Sequence, residues 1–165
     1  MRLRLFLVPL ACLVAAVILQ TTLFSRFSYI TPDLVLLVII LLAITDLPRE
    51  GVLVMAFSGG LVVDMLGSTA LGLRAAVFTV IGYAAVKTAQ RVDIGPVAIA
   101  LWVAALTLAG VALFLVVGTL FGQGGLISTG LARRLIFVPL SNLVLSFVVA
   151  PLMNRLIRGK VRGLL

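Results

Sequence analysis

The sequence predicts an all-α integral membrane protein, one domain built as a bundle of six transmembrane helices. Three observations carry this. Of 165 residues, 63% are hydrophobic and 11% are charged, where a soluble domain of this size carries about 25% charged residues. The mean hydropathy is +1.34. The apolar residues also fall into six runs separated by short polar or glycine-rich turns, and at about 20 apolar residues per span almost nothing is left for a soluble domain. Disorder and coiled coil are excluded by the shortage of charge. A disulfide scaffold is excluded because the chain has one cysteine, and Cys12 lies inside the first run as a small hydrophobe.

The first run, 5–24, follows Arg2 and Arg4 and is softened at its end by Gln20, Thr21 and Thr22. It is too long for a signal-peptide core, and no small-residue cleavage site follows it, so it is expected to stay as a span. The connection carries Arg26 among Phe24, Phe27 and Tyr29, residues suited to the headgroup belt. The second run, 32–46, opens on Thr31-Pro32-Asp33: Thr31 as N-cap, Pro32 in the first turn, Asp33 at the positive helix end. Its roughly fourteen residues rise about 21 Å against about 30 Å of hydrocarbon. It either spans with help from Phe27 to Ile30 or dips in and returns.

Asp46 to Gly51 form a polar turn. The third run, 52–67, holds Gly59, Gly60, the acid Asp64 and, at its end, Gly67. The fourth, 71–87, has Gly72 and Arg74 near its start, and Lys87, Gln90, Arg91 and Asp93 make the loop after it. The fifth, 96–121, carries Trp102 and ends at a glycine-rich loop from Gly122 to Gly130. The sixth, 131–152, contains Pro139, expected to kink it, and Pro151. A basic tail, 153–165, carries Arg155, Arg158, Lys160 and Arg162.

Charge bias settles the second run. With six spans and an inner N-terminus, the inner ends hold nine cations: Arg2, Arg4, Arg49, Lys87, Arg91, Arg155, Arg158, Lys160 and Arg162. The outer ends hold four, namely Arg26, Arg74, Arg133 and Arg134. A re-entrant second segment would reverse every later loop and leave five cations inside against eight outside, contrary to the positive-inside rule. Six spans with both termini in the cytoplasm follow, and tilt or local bilayer thinning is expected to absorb the short second helix.

Asp64 is the sharpest position. It is the one acid inside a long apolar run, where a carboxylate must find protein, water or a partner. Arg74 stands just across the Gly67–Gly72 turn, so a bridge between antiparallel helices is predicted. The alternatives for its role are a lock between the two helices, a contact with a partner protein, or a proton or substrate role. A relay would need a second protonatable group in the bilayer, which the sequence does not offer. Ala56 and Gly60, like Ala11 and Ala15, are four apart, the small-residue spacing that lets membrane helices approach closely. Asn142, just after Pro139, is placed to make interhelical contacts. Arg133 and Arg134 snorkel to outer headgroups or meet an acidic partner, and Arg155 and Arg158 read anionic lipid or a cytoplasmic protein.

The chain has no histidine, hence neither the commonest metal ligand nor the commonest general base, and no metal or cofactor set can be assembled. No phosphate-binding loop with its lysine is present. The net charge of +8 sits at the ends of apolar runs with no clustered basic and aromatic face, which excludes nucleic acid as a partner. An enzyme is not expected.

Laid out in order, several pieces resemble the rod shape-determining MreD family: Leu19-Gln20, Pro32-Asp33-Leu34, Gly59-Gly60-Leu61-Val62-Val63-Asp64, Leu71-Gly72-Leu73 and Gly82-Tyr83. The resemblance covers nearly the whole chain. It implies a non-enzymatic subunit of the bacterial inner membrane that docks MreC and links MreB filaments to RodA and penicillin-binding wall synthases, some of these contacts being indirect. Six short helices are also similar to the substrate-binding subunits of energy-coupling-factor transporters, which implies a small-molecule carrier as the alternative. A vitamin pocket needs converging polar and aromatic groups. One tryptophan, two tyrosines and few embedded polar groups beyond Gln20, Asp64 and Asn142 favour the scaffold.

Overall fold

The computed structural model describes residues 2–22, 32–45, 47–67, 70–92, 95–122 and 131–158; for residues 2–5, 131–133 and 157–158 it describes backbone alone. The Arg26 connection, Thr31, Asp46, Asp93, most of the glycine-rich loop and the tail beyond Arg158 lie outside the described residues. Those described form six helices and no strand: α1 (Arg2–Thr22), α2 (Leu34–Leu42), α3 (Arg49–Leu66), α4 (Leu73–Ala89), α5 (Pro96–Leu120) and α6 (Leu131–Arg158).

Successive helices run up and down, and their arrangement is a ring with a centre. α1 packs on α3, α3 on α4, α4 on α5, α5 on α6, and α6 returns to α1; α2 touches all five. Each of its nine residues, Leu34 to Leu42, is buried. A helix that is apolar all round belongs inside, and at 1.5 Å per residue α2 rises only about 13 Å. Its short length is therefore enclosed by the other five helices. After Leu42 the chain turns at Ala43 to Thr45, which are half-buried and line a cavity at that end of α2.

Close contact holds these helices together, and small residues provide it. A Cβ at Gly59 would stand 3.1 Å from Leu13 of α1, and one at Gly82 3.1 Å from Ala56. At Gly60 it would stand 2.5 Å from the Ala75 Cα, so α3 and α4 meet there backbone to backbone. Ala11 and Ala15, by contrast, face outward.

Two helices, Pro96–Leu120 and Arg134–Leu156, are each long and apolar enough to cross a membrane, with mean hydropathies of 2.5 and 2.2. α6 continues through Pro139 and Pro151 to Arg158, past the end expected at 152. A proline costs a membrane helix one hydrogen bond without ending it, and α1 likewise contains Pro9.

Candidate functional site

The site is built where α2, α3 and α4 begin or end on one side of the bundle. α2 is capped by Asp33, whose Oδ1 accepts from the Leu36 amide at 3.1 Å. Asp33, rather than Thr31, is thus the N-cap, and Pro32 stands before the helix. The carboxylate reaches the third amide of the first turn from a non-helical backbone (φ −87°, ψ 84°). The next free amide, that of Val35, donates to Gln20 Oε1 on α1 at 3.2 Å.

α4 is started differently. Its N-cap is Gly72, left-handed at φ +90° and without a side chain to cap with. The missing acceptor comes from α3. Asp64 Oδ2 accepts from the amides of Arg74 at 2.9 Å and Ala75 at 3.3 Å, the two positions that a capping side chain of α4 itself would serve. Gly60 makes this possible: it lies one helical turn before Asp64 on the same face, and its lack of a side chain brings α3 close enough. Gly67 ends α3 in an extended conformation, its amide donating to the Asp64 carbonyl.

Arg74 ties the two capping acids together. Its Nη1 is 3.8 Å from Asp33 Oδ2 and its Nε 4.0 Å from Asp64 Oδ1. The guanidinium also lies over the Phe114 ring, 5.0 Å from the centroid, a favourable cation–π distance. Asp64 is fully enclosed, whereas Asp33 and Arg74 keep 16% and 27% side-chain exposure. The negative charges face two positive helix ends and one cation. Gln20, Asp33, Arg74, Phe114 and Arg134 line a cavity of about 160 Å³.

Sequence reasoning brought Asp64 to Arg74; it did not bring Asp33 to Arg74, nor Asn142 beneath them. Asn142, fully buried on α6, donates at 3.2 Å to the Asp33 carbonyl and at 3.2 Å to Thr107 Oγ1 on α5. Among the described residues nothing bonds its Oδ1. Thus Pro32, Asp33, Asp64, Arg74, Gly60 and Gly72 belong to one locus, with Gly59 facing α1 and α2 behind it. Arg134 is exposed at its rim. Arg155 is exposed at the opposite end of the bundle, and the side chains of Arg133 and Arg158 lie outside the described residues.

The arrangement is electrostatic and mechanical: it fixes the starts of two helices, α2 and α4, and clamps them to the other four. Among the described residues no group of three histidine, cysteine or acidic side chains is placed to hold a metal. Comparison with curated proteins and with solved structures finds no match. Residues 1–159 match the family described as rod shape-determining protein MreD, so the chain belongs to that family and to the determination of rod shape.

Proposed function

We propose that this protein is a multi-pass scaffold of the bacterial inner membrane, both termini in the cytoplasm, that docks the membrane span of MreC and through it couples MreB filaments to the RodA and penicillin-binding wall synthases. It works without catalysis, by presenting a rigid helical surface. The observation that carries this reading is the division of the bundle's polar and small residues. The embedded polar groups described above bond one another, while the outer face of α1 keeps Ala11 and Ala15 exposed at four-residue spacing, the pattern by which one membrane helix accepts another. The nine-to-four charge bias supports the orientation.

The energy-coupling-factor reading is less well supported. The polar cavity at Asp33 and Arg74 is about 160 Å³, below the roughly 300–1,000 Å³ of a small-molecule site. The larger cavity at the far end of α2, about 580 Å³, has a mostly apolar wall, with tryptophan and tyrosine absent from its lining among the described residues.

Co-purification from detergent tests the proposal. The chain is expected to bring MreC with it, and Ala11→Phe with Ala15→Phe is expected to lose MreC while melting at an unchanged temperature. Isolation alone, with a vitamin tightly bound, would transfer the assignment to the transporter class. Reporter fusions at the two termini are expected to report the same, cytoplasmic side.

A further inference from the structure

A second cavity lies at the other end of α2, and it follows from that helix's length. α2 stops at Leu42, while α4 continues to Ala89 and α6 to Arg158. The space a longer α2 would fill is a chamber of about 580 Å³, within the range of ligand sites.

Its wall is apolar, with Leu41, Ile44, Val86, Ile99, Phe147 and Met153 in it. The hydroxyls in that wall are already committed. Ser146 donates to the Leu143 carbonyl at 2.6 Å, and Thr45 donates to the Leu42 carbonyl at 2.6 Å while accepting from the Leu47 amide at 3.4 Å. With those hydroxyl protons committed, the deep wall offers a buried water few of the two to four polar partners it needs. The natural filling is hydrocarbon.

The rim has the opposite character. Arg49, Gln90 and Asn154 line the mouth and are exposed. Among the described residues Arg49 enters no ion pair. Lys87, Arg91 and Arg155 are exposed at the same end, with Glu50 the one described acid there. Two helices also begin at this mouth without a capping side chain, α3 after Pro48 and α5 after Gly95, so their positive ends face it. An apolar chamber under a cationic mouth fits one kind of molecule: an amphiphile with an anionic head.

We propose that this chamber houses an acyl chain of an anionic phospholipid from the surrounding leaflet, with the lipid phosphate held at Arg49. The proposal requires this end of the bundle to lie at a membrane face. It does not require that MreC be the partner, so loss of MreC binding leaves it standing.

The test uses the full chain, purified in detergent, delipidated and titrated with dioleoyl phosphatidylglycerol, dioleoyl phosphatidylcholine or inorganic phosphate. Bound lipid is counted by mass spectrometry and stability by thermal unfolding. Phosphatidylglycerol is expected to bind one per chain and raise the melting temperature, with phosphatidylcholine weaker and phosphate alone without effect. Arg49→Gln is expected to weaken phosphatidylglycerol about fivefold. Ala89→Phe, which fills the chamber from α4, is expected to abolish binding. If Ala89→Phe does not fold, Arg49→Gln decides. Equal binding of the two lipids, an unchanged affinity in Arg49→Gln, stabilisation by phosphate alone, or a co-purifying polypeptide in place of lipid would overturn it.

Discussion

Gly60 of α3 rests directly on Ala75 of α4, so closely that an added Cβ would stand 2.5 Å from the Ala75 Cα and 2.6 Å from its nitrogen. No side-chain rotation relieves that approach, because both sides are backbone. Gly60→Ala is therefore expected to cost about 1–3 kcal/mol through forced separation of the helices, read as a lower melting temperature in detergent. Gly72→Ala is expected to cost about 1–2 kcal/mol for a different reason, its left-handed φ of +90°. Gly95→Ala, with nothing near its Cβ, is the control and stays within about 0.5 kcal/mol. Equal effects at the three sites would deny the close approach.

The Asp33–Arg74–Asp64 set predicts unequal and coupled losses. Asp33→Asn keeps a good cap at the less enclosed of the two acids, so it costs the least of the set. Asp64→Asn removes the charge from an enclosed acceptor of two amides and costs about 1–3 kcal/mol. Arg74→Met costs more than Asp33→Asn, since it removes a cation that faces both acids. Combined with Asp64→Asn it is expected to recover part of the loss, a coupling of about 0.5–3 kcal/mol. Strictly additive thermal shifts would show that the ion pair carries no energy.

Asn142 joins α6 to α2 and α5 through one amide. Asn142→Ala is expected to destabilise by about 1–3 kcal/mol because the Thr107 hydroxyl and Asp33 carbonyl lose a buried donor. Thr107→Val alone costs about 0.6 kcal/mol, the usual worth of one such bond between membrane helices. A Thr107→Val loss as large as that of Asn142→Ala would place the weight on α5 instead of α2.

The single tryptophan gives a local readout. Trp102 Nε1 donates to Thr88 Oγ1 at 2.9 Å, linking α5 to α4, while the Thr88 hydroxyl donates to the Ala84 carbonyl. Thr88→Val removes the indole's acceptor and nothing else of that size, so tryptophan emission is expected to change with little loss of stability, about 1 kcal/mol. Unaltered emission would mean the bond does not form in the membrane protein.

What could be read in advance and what could not divide along contact distance. Asp64 and Arg74 flank one short turn between neighbouring helices, so their meeting follows from topology alone. The place of Asp33 in the same cluster depends on α2 lying against α4, and Asn142 reaches it from the last helix; no local pattern states either. The central position of α2 had a signal in its unbroken apolar run, Leu34 to Leu42. In a soluble chain that run would mark an interior helix, but lipid-facing helices are equally apolar, so the signal lost its meaning. The double role of Asp64 was hidden for a simpler reason. Gly72 declares that α4 lacks its own cap, yet which distant side chain replaces it is decided only when Gly60 lets the helices touch.

The enclosure of α2 has a consequence for biogenesis. The walls of α2 come from one helix made before it, α1, and from four made after it, α3 to α6. Until α6 arrives, the Asp33 carbonyl lacks Asn142 and one flank of α2 is open to lipid. A nascent chain stopped before α6 is thus expected to be an unfinished vessel around its own core, more readily cut by a protease than the whole chain. Closure around α2 is therefore expected to wait on the docking of α6.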